Sequence, residues 1–346
     1  TLRIDYQGGK LHGVLYAKNS PEGIQYNRGE LRFGGEAATL PPNHGYRLAG
    51  FLPHYSHTQW ETALQLQEQK SNKRSSTHWD IIDRINEIDV SIKDAEVFDF
   101  QFNDVHLKAI KPVHIWEAKL TSAEAEGDIS FPMQFENNKI ILAMNRLYLN
   151  ALKKAEKKTS DPRLLPGLVA KINDFRYAGI NLGKMDLSVK KQKPGLEIDS
   201  LHFISPIMSV DLKGRWFTLD GNQQTQFYAT VRSNNMGHLL ENFGYVHGIG
   251  EGNSKLGLDL TWQGKPSDFA FGKIVGNIAV DINNGSLLEL DPGAGRFFGL
   301  FSFQALPRRL ALDFSDFFQK GFKFDSIQGD FALSEGNAYT GNLVID

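Results

Sequence analysis

The sequence predicts a mainly β fold, and three observations lead to this prediction. Apolar and polar residues alternate with a period of two in one segment after another along the chain. Turn-forming pairs such as Asp220-Gly221 and Glu335-Gly336 separate these segments. Segments with a helical repeat are few and short. Because each alternating segment has one apolar and one polar face, the strands are expected to be half-buried and antiparallel.

Four alternating segments define the predicted strands most clearly. In chain order, their apolar residues are Val105, Leu107 and Ala109; Ile140, Leu142 and Met144; Phe227, Ala229 and Val231; and Ile278, Val280 and Ile282. Turns are predicted at 136–138, 220–222, 283–285 and 334–336, where Asn, Asp, Ser and Gly cluster. Short strands with a turn about every 8 to 12 residues fit a sandwich, a barrel or an open sheet. The residue pattern alone leaves these three architectures open.

Three short helices are predicted between the strands. Thr58 and Glu61 have the spacing of a capping box, and Asn234 or Asn235 begins a second helix that ends before Gly244. The third helix begins at Asp291-Pro292 and ends before Pro307, and its interior contains Phe297, Phe298, Leu300, Phe301 and Phe303. It is apolar around most of its girth. A strand over 309–314 is predicted to follow it.

Composition bounds the class of protein. A length of 346 residues allows one large or two ordinary domains, and 41% hydrophobic with 23% charged residues predicts a folded chain. The net charge of −2 provides no general attraction to nucleic acid, so no nucleic-acid partner is expected. The absence of cysteine excludes disulfides, thiolate metal sites and cysteine nucleophiles. The longest apolar runs are far shorter than the roughly 20 residues that cross a bilayer.

Two patterns superficially suggest metal or nucleotide binding. His54 and His57 form an HxxH pair that lacks the helical HExxH register and its glutamate. The glycines of 247–252 and 293–299 lack the spacing and the strand-to-helix context of phosphate-binding loops. These glycines are expected to serve turns and close packing. No metal and no cofactor is therefore expected.

The aspartates near the C-terminus do not form a convincing catalytic pair. Asp313, Asp316 and Asp325 have the spacing of an outward strand position, a first helical turn and a turn residue. No catalytic residue is predicted, and the protein is not expected to be an enzyme. Four lysines between residues 153 and 158 are expected to form a solvated loop more readily than a lipid-headgroup site.

Two polar stretches are predicted to be loops. They cover residues 67–77 and residues 153–160. The second is expected to separate two segments of one continuous sheet, residues 1–153 and residues 154–346, because no new core pattern begins there. The chain starts and stops within strand patterns and is expected to be a fragment of a longer protein.

A long segment near the C-terminus resembles a known family. The order PGAGRFFGLFSFQALPRRLALDFSDFFQKGFKFD at 292–325, supported by GRW at 214–216, TWQGKPSDF at 261–269 and DPRLLPGL at 161–168, resembles the YhdP family. These proteins are AsmA-like relatives of TamB. The resemblance is clear from about Asp161 onward and loose before it. It implies an elongated, strongly curved antiparallel sheet that forms a groove, apolar inside and polar outside.

The resemblance also implies a function. Members of the family move phospholipid between the inner and outer membranes through the groove, without catalysis, as periplasmic parts of proteins anchored in the inner membrane. The anchor is expected to lie outside this chain. Phospholipid acyl chains, the two membranes and envelope proteins are the expected partners. The candidate lipid-binding residues are Leu142, Met144, Val210, Leu212, Phe227, Ala229, Ile278, Val280, Ile282, Phe298 and Phe301.

Two functions of other classes remain open from the sequence. A non-transporting envelope scaffold would have the same apolar strand faces, but fully packed. An all-β enzyme acting on envelope glycans would need a carboxylate pair that the sequence does not make evident. Under the lipid-transport hypothesis, the Phe-rich helix closes, gates or occupies one end of the groove.

Overall fold

The predicted mainly β fold with few short helices is confirmed. The structure, a computed structural model, describes residues 2–21, 23–59, 84–97, 100–133, 139–150, 161–244, 249–287 and 322–346. Nineteen strands are described, and they belong to one sheet. The chain divides into two compact units. Unit 1 comprises Thr1–Lys157 with Arg176–Gly179, and unit 2 comprises Lys158–Phe175 with Ile180–Asp346.

Unit 1 contains the first nine strands. They are β1 (Leu2–Gly8), β2 (Leu11–Ser20), β3 (Gly23–Phe33), β4 (Gly45–Ser56), β5 (Ile85–Val97), β6 (Phe100–Ile110), β7 (Ile115–Thr121), β8 (Ala125–Pro132) and β9 (Lys139–Leu149). Strands β1 to β3 and β5 to β9 pair antiparallel with their neighbours in sequence. Strand β4 is parallel to both β3 and β5, so the antiparallel prediction is wrong for these two pairings. Parallel neighbours need a connection that returns the chain to the same end, and residues 34–44 provide it before β4.

A buried carboxylate holds this connection in place. The side chain of Glu30 in β3 is fully buried, and Arg32 Nε lies 2.6 Å from its Oε1. Arg47 of β4 forms a second ion pair with Glu30, and the backbone N–H of Thr39 donates to Glu30 at 3.1 Å. Arg47 also donates to Thr39 Oγ1 at 2.9 Å. One carboxylate thus joins β3, β4 and the connecting loop.

The ionisation of Glu30 is shaped by two opposing effects. Burial raises its pKa, whereas Arg32, the Thr39 N–H and Arg47 lower it, and together they hold the pKa below its ordinary value. The carboxylate is therefore charged in the folded protein, and it is paired on both of its oxygens.

Unit 2 contains the remaining ten strands, apart from the last two residues of β10, and one described α-helix. The elements are β10 (Gly167–Tyr177), β11 (Ile180–Gln192), β12 (Gly195–Ile204), β13 (Met208–Leu219), β14 (Asn222–Ser233), α1 (Met236–Asn242), β15 (Ile249–Gln263), β16 (Val275–Leu287), β17 (Phe322–Ser334), β18 (Asn337–Tyr339) and β19 (Val344–Ile345). Strands β11 to β17 pair antiparallel in sequence order. The short strands β18 and β19 both pair with β17. Two 3₁₀ turns, Pro266–Asp268 and Phe271–Lys273, lie between β15 and β16.

The predicted turns have mixed outcomes. Asp220-Gly221 and Glu335-Gly336 form two-residue hairpin loops with positive φ at both positions, as predicted. The prediction of a turn at 283–285 is wrong, because these residues lie inside β16. Asn284 has φ of 57°, which asparagine tolerates, so the strand continues through a local irregularity. The predicted turn at 136–138 lies outside the described residues.

Helix α1 confirms the predicted capping signals. Asn235 is the N-cap, and its side-chain Oδ1 accepts a hydrogen bond from the His238 N–H at 3.0 Å. Gly244, just after the helix, has φ of 84°. Residues 57–59 are helical, but Glu61 of the predicted capping box lies outside the described residues. Also outside them are the Phe-rich helix with Phe298 and Phe301, the strand over 309–314 and the loops at 67–77 and 153–160.

Replacing Glu30 tests whether the buried ion cluster stabilises unit 1. Glu30→Gln leaves Arg32 and Arg47 without their shared carboxylate, so we expect a loss of roughly 3 kcal/mol in unfolding free energy. Glu36→Gln is the matched control, because Glu36 pairs with the same Arg32 at 3.0 Å but is 84% exposed. Chemical denaturation measures both changes. Equal effects of the two substitutions would contradict a special role for Glu30.

The lowered pKa of Glu30 also predicts that its contribution to the unfolding free energy depends on pH. Because the folded-state pKa of Glu30 is lowered, its stabilising contribution is complete above the unfolded pKa of about 4.3 and is lost as the pH falls through the folded value. The melting temperatures of the wild type and of Glu30→Gln should therefore differ by a constant amount near neutral pH and converge in acid. A difference that widened below about pH 4.3 would show the wrong sign of linkage.

Candidate functional site

Strands β11 to β17 bring apolar side chains into register on one face of unit 2, here called the apolar face. Its middle row consists of Leu187, Leu201, Leu212, Ala229, Leu258, Ile278 and Phe331, each paired with the next across neighbouring strands. A second row consists of Met185, Phe203, Val210, Val231, Leu256 and Val280. Residues two apart in a strand point to the same side, so both rows share one face. Seven strands spaced about 4.8 Å apart give the middle row a length of roughly 29 Å.

The opposite face of the same strands is polar and faces water. Asp211 of β13 accepts a hydrogen bond from Arg232 Nη1 at 2.8 Å, and its Oδ1 lies 2.8 Å from His202 Nδ1. The hydrogen bond with His202 and then that with Arg232 lower the pKa of Asp211. All three side chains are about half exposed, so these contacts add little stability. They do mark this face as the solvent side of the sheet.

Helix α1 covers one end of the apolar face. Met236 and Leu239 of the helix form a buried cluster with the strand residues Met208, Ile282, Phe324 and Ile327. The strand positions in this end row also include Ser233 and Ser254, which lie opposite each other in β14 and β15. Their small side chains leave room for the helix against the sheet. The apolar face is therefore packed by protein at this end.

An aromatic cluster lies at the other end of the apolar face. Leu260, Trp262 and Ile274 are buried together there, and Phe227 packs against them. The rings of Phe227 and Trp262 meet edge to face with centroids 5.1 Å apart. Trp262 Nε1 donates to the backbone carbonyl of Lys265 at 3.0 Å, so the polar atom of the indole is satisfied. Between the helix and this cluster, the middle row contains four leucines, one alanine, one isoleucine and, at its β17 end, Phe331.

Unit 1 has an apolar face of the same kind. Its in-register residues are Leu48, Ile88, Ala109, Ala118, Ile129 and Leu142, followed two residues along each strand by Gly50, Val90, Leu107, Leu120, Gly127 and Met144. Each row crosses six strands, from β4 to β9. The parallel strand β4 takes part in both rows, because parallel pairing also keeps the pleat in register.

The structure places the predicted lipid-binding residues in several different environments. Leu212, Ala229 and Ile278 belong to the middle row of unit 2, Val210 and Val280 belong to the second row, and Phe227 lies beside Trp262. Ile282 is 3% exposed in the cluster beneath α1. Leu142 and Met144 end the two rows of unit 1. Phe298 and Phe301 lie outside the described residues.

The prediction missed some members of the apolar face. Leu256, Leu258, Leu260 and Trp262 alternate with Gly257, Asp259 and Thr261 in β15, and the printed sequence shows this pattern. They could have been identified by the same rule that identified β14 and β16. The position of α1 over Ile282 could not have been predicted from the sequence, because the helical repeat does not reveal which face of the sheet the helix covers.

The described residues offer little support for catalysis or metal binding. Among them, no group of three or more His, Cys, Asp or Glu side chains could hold a metal ion. His54 lies in β4, Gly250 and Gly252 lie in β15, and Asp325 is exposed in β17. Within the part of the chain that the structure describes, no helix is long and apolar enough to span a membrane.

An open depression of about 630 Å³ lies over β5 to β9 in unit 1, where charged side chains line it together with Ile88, Ala109, Ala118 and Ile129 of the apolar row. The charged side chains along it are Glu87, Asp89, Lys108, Glu117, Lys119 and Asp128. Both signs of charge are present, and Lys108 Nζ lies 3.7 Å from Asp89. The depression therefore has no strong preference for a ligand of one charge. The apolar faces are the stronger candidates for a functional surface.

Comparison with known proteins supplies the context for these faces. A family model described as YhdP protein matches residues 2–346. The intermembrane phospholipid transporter YhdP of Escherichia coli (strain K12) is 25% identical over 241 residues, which cover 65% of this chain and 19% of that protein. The matched region is thus about a fifth of the relative's length. No solved structure matches this chain.

Paired serine substitutions test the packing of α1 on the sheet. Among the described residues, the buried Ser254 Oγ has no hydrogen-bond partner, whereas Ser233 Oγ donates to the Ile207 carbonyl at 2.6 Å. Ser254→Ala should therefore be neutral or stabilising by up to about 1 kcal/mol, while Ser233→Ala should destabilise by about 1 kcal/mol. Thermal melts of the two variants measure the contrast. Destabilisation by Ser254→Ala equal to that of Ser233→Ala would contradict the described packing.

Proposed function

The chain belongs to the YhdP family, and on that premise we propose that it carries phospholipid acyl chains along its apolar faces. The observation that supports the proposal most strongly is the middle row of unit 2, where apolar side chains stay in register across seven strands. Between α1 and the aromatic cluster, Leu212, Leu258 and Ile278 in this row are only partly buried. They offer aliphatic surface to an acyl chain.

The energetics explain why a continuous row suits this function. Each CH₂ group exposed to water costs about 0.8 kcal/mol, so two long acyl chains need shielding worth more than about 20 kcal/mol. Backbone N–H and C=O groups in the sheet bond to neighbouring strands, so they present no unpaired polar group to the lipid. An acyl chain that lies along a row, across the strands, stays in contact with apolar side chains over its whole length. Movement along it needs no cofactor and no catalytic residue.

The wider proposal places this activity in the cell envelope. We infer that residues 1–153 and residues 154–346 each provide a segment of an apolar groove. The groove would guide phospholipid through the periplasm between the inner and outer membranes and support lipid homeostasis of the outer membrane. The chain would be the periplasmic part of a protein anchored in the inner membrane. The family and the named function of the E. coli relative support this placement.

A scaffold function is the second candidate, and one observation favours it. Helix α1 packs directly on the apolar face, and Val210 and Val280 are partly buried against that cluster. If other protein surfaces covered the middle row in the same way, the face would serve only as a core. The two functions therefore differ in whether Leu212 and Leu258 contact lipid or protein.

Site-specific photo-crosslinking separates these functions. A photo-reactive residue at position 212 should capture phospholipid in living Gram-negative cells, because Leu212 lies in the middle row. One at position 213 should not, because Lys213 is exposed on the opposite face. Mass spectrometry of the purified adducts measures the result.

A third probe provides the internal control. Position 282 is buried beneath α1, so a probe there should react with protein and not with lipid. Lipid adducts at 213 as strong as those at 212 would contradict the assignment of the faces. Protein adducts alone at 212, from a stably folded variant, would favour the scaffold.

A further inference from the structure

The loop between β15 and β16 presents two phenylalanine side chains to solvent. Phe269 is 41% exposed and Phe271 is 51% exposed, although Ile274 just beyond them is 1% exposed. The loop is held by 3₁₀ hydrogen bonds, in which Asp268 N–H donates to the Lys265 carbonyl at 2.9 Å and Lys273 N–H donates to the Ala270 carbonyl at 2.8 Å. The phenylalanines are thus exposed on a structured loop.

These rings continue an aromatic path that starts on the apolar face. The centroids of Phe227 and Trp262 are 5.1 Å apart, those of Trp262 and Phe269 are 5.4 Å apart, and those of Phe269 and Phe271 are also 5.4 Å apart. Trp262 is buried, whereas Phe271 is the most exposed of the four. An unbroken series of ring contacts therefore leads from the apolar face to solvent.

Other exposed apolar residues lie at the same end of unit 2. Strands β13, β15 and β17 run in the same direction because they alternate with antiparallel partners, so the loops after them share one end of the sheet. Leu219, Val275 and Tyr339 are each more than half exposed at this end. A Cβ at Gly336 would lie 3.3 Å from the Gly272 Cα, so the turn after β17 packs against the phenylalanine loop.

We propose that the 264–274 loop is a membrane contact that inserts Phe269 and Phe271 into the interfacial region of a phospholipid bilayer. Lys265 and Lys273 flank the rings in sequence, an arrangement suited to apolar groups below the headgroups with ammonium groups near the phosphates. The choice of lipid as the partner rests on the proposed function. Acyl chains would pass from the bilayer along Phe269 and the partly buried Phe227 onto the apolar face.

A protein partner fits this surface less well. A stable protein interface buries about 800 Å² on each side, and the two phenylalanine rings, even with Leu219, Val275 and Tyr339, provide only part of such an area. Continuity with an aliphatic face also favours an occupant with long hydrocarbon chains. Binding of this loop to a second copy of the chain is the alternative that the test distinguishes from membrane binding.

Vesicle flotation tests the contact in the 346-residue chain. With vesicles of phosphatidylethanolamine and phosphatidylglycerol, the wild type should float, and Phe269→Ser with Phe271→Ser should bind about tenfold or more weakly. The matched control is Phe51→Ser with Tyr228→Ser, which removes two exposed aromatic rings elsewhere. It should bind like the wild type. Failure of the wild type to bind, or equal binding by the loop variant, would overturn the proposal.

A labelled cysteine keeps the test informative if the double variant folds poorly. The chain has no cysteine, and a Cβ at Gly272 or Gly9 would meet no atom within 4 Å. An environment-sensitive dye on Gly272→Cys should shift its emission to the blue when vesicles are added, and the same dye on Gly9→Cys should not. Equal shifts at both positions, or a shift at 272 from self-association without vesicles, would overturn the proposal.

Lipid quantification separates this inference from the proposed function. Phospholipid that co-purifies with the wild type and with the loop variant in equal amounts, together with slower uptake from vesicles by the variant, would support both. Vesicle binding through the loop by a protein that never contains lipid would support the membrane contact and overturn acyl-chain transport. Bound lipid with no vesicle binding would overturn the membrane contact alone.

Discussion

Cross-strand register is the constraint on which the rest of this structure depends. A β-sheet pairs its backbone groups internally and sends successive side chains to opposite faces, so a slip of one residue would exchange the two faces of a strand. In unit 2, Leu212, Ala229 and Leu258 stand directly opposite one another in three adjacent strands. The apolar face exists only because the register keeps this alignment across every strand pairing from β11 to β17.

A β-bulge keeps apolar side chains on one face of the sheet where the alternation in the sequence is interrupted. In β12, Ile198 and Leu201 are three residues apart, yet they align with Gly214 and Leu212, which are two residues apart in β13, because the register shifts between them. The extra residue forms a bulge. Asp199, at this point, lies 2.6 Å from Lys190 of β11, so the inserted residue is held by an ion pair. A pattern that looks interrupted in sequence is thus continuous in space.

The two units differ in the interactions that characterise them, a buried ion cluster in unit 1 and an apolar surface in unit 2. In unit 1, the reversal that makes β4 parallel is held by the buried Glu30 with Arg32 and Arg47, an arrangement that stabilises only while all partners are present. In unit 2, hairpins connect many of the strands without such an ion cluster. Its distinguishing feature is an apolar surface that is covered at one end and continues toward solvent at the other. Helix α1 covers one end of that surface, and the phenylalanine loop extends the other toward solvent.

The sequence by itself determined the fold class, the faces of strands such as β14 and β16, two hairpin loops and the caps of α1. These features are local, because pleat alternation, positive φ and capping depend on residues close together in the chain. Only the tertiary structure decided that β4 is parallel, that Asn284 lies inside a strand, that α1 covers Ile282 and that Phe227 leads through Trp262 to Phe271. Alternation shows which side chains share a face, but what covers that face depends on segments far apart in the chain.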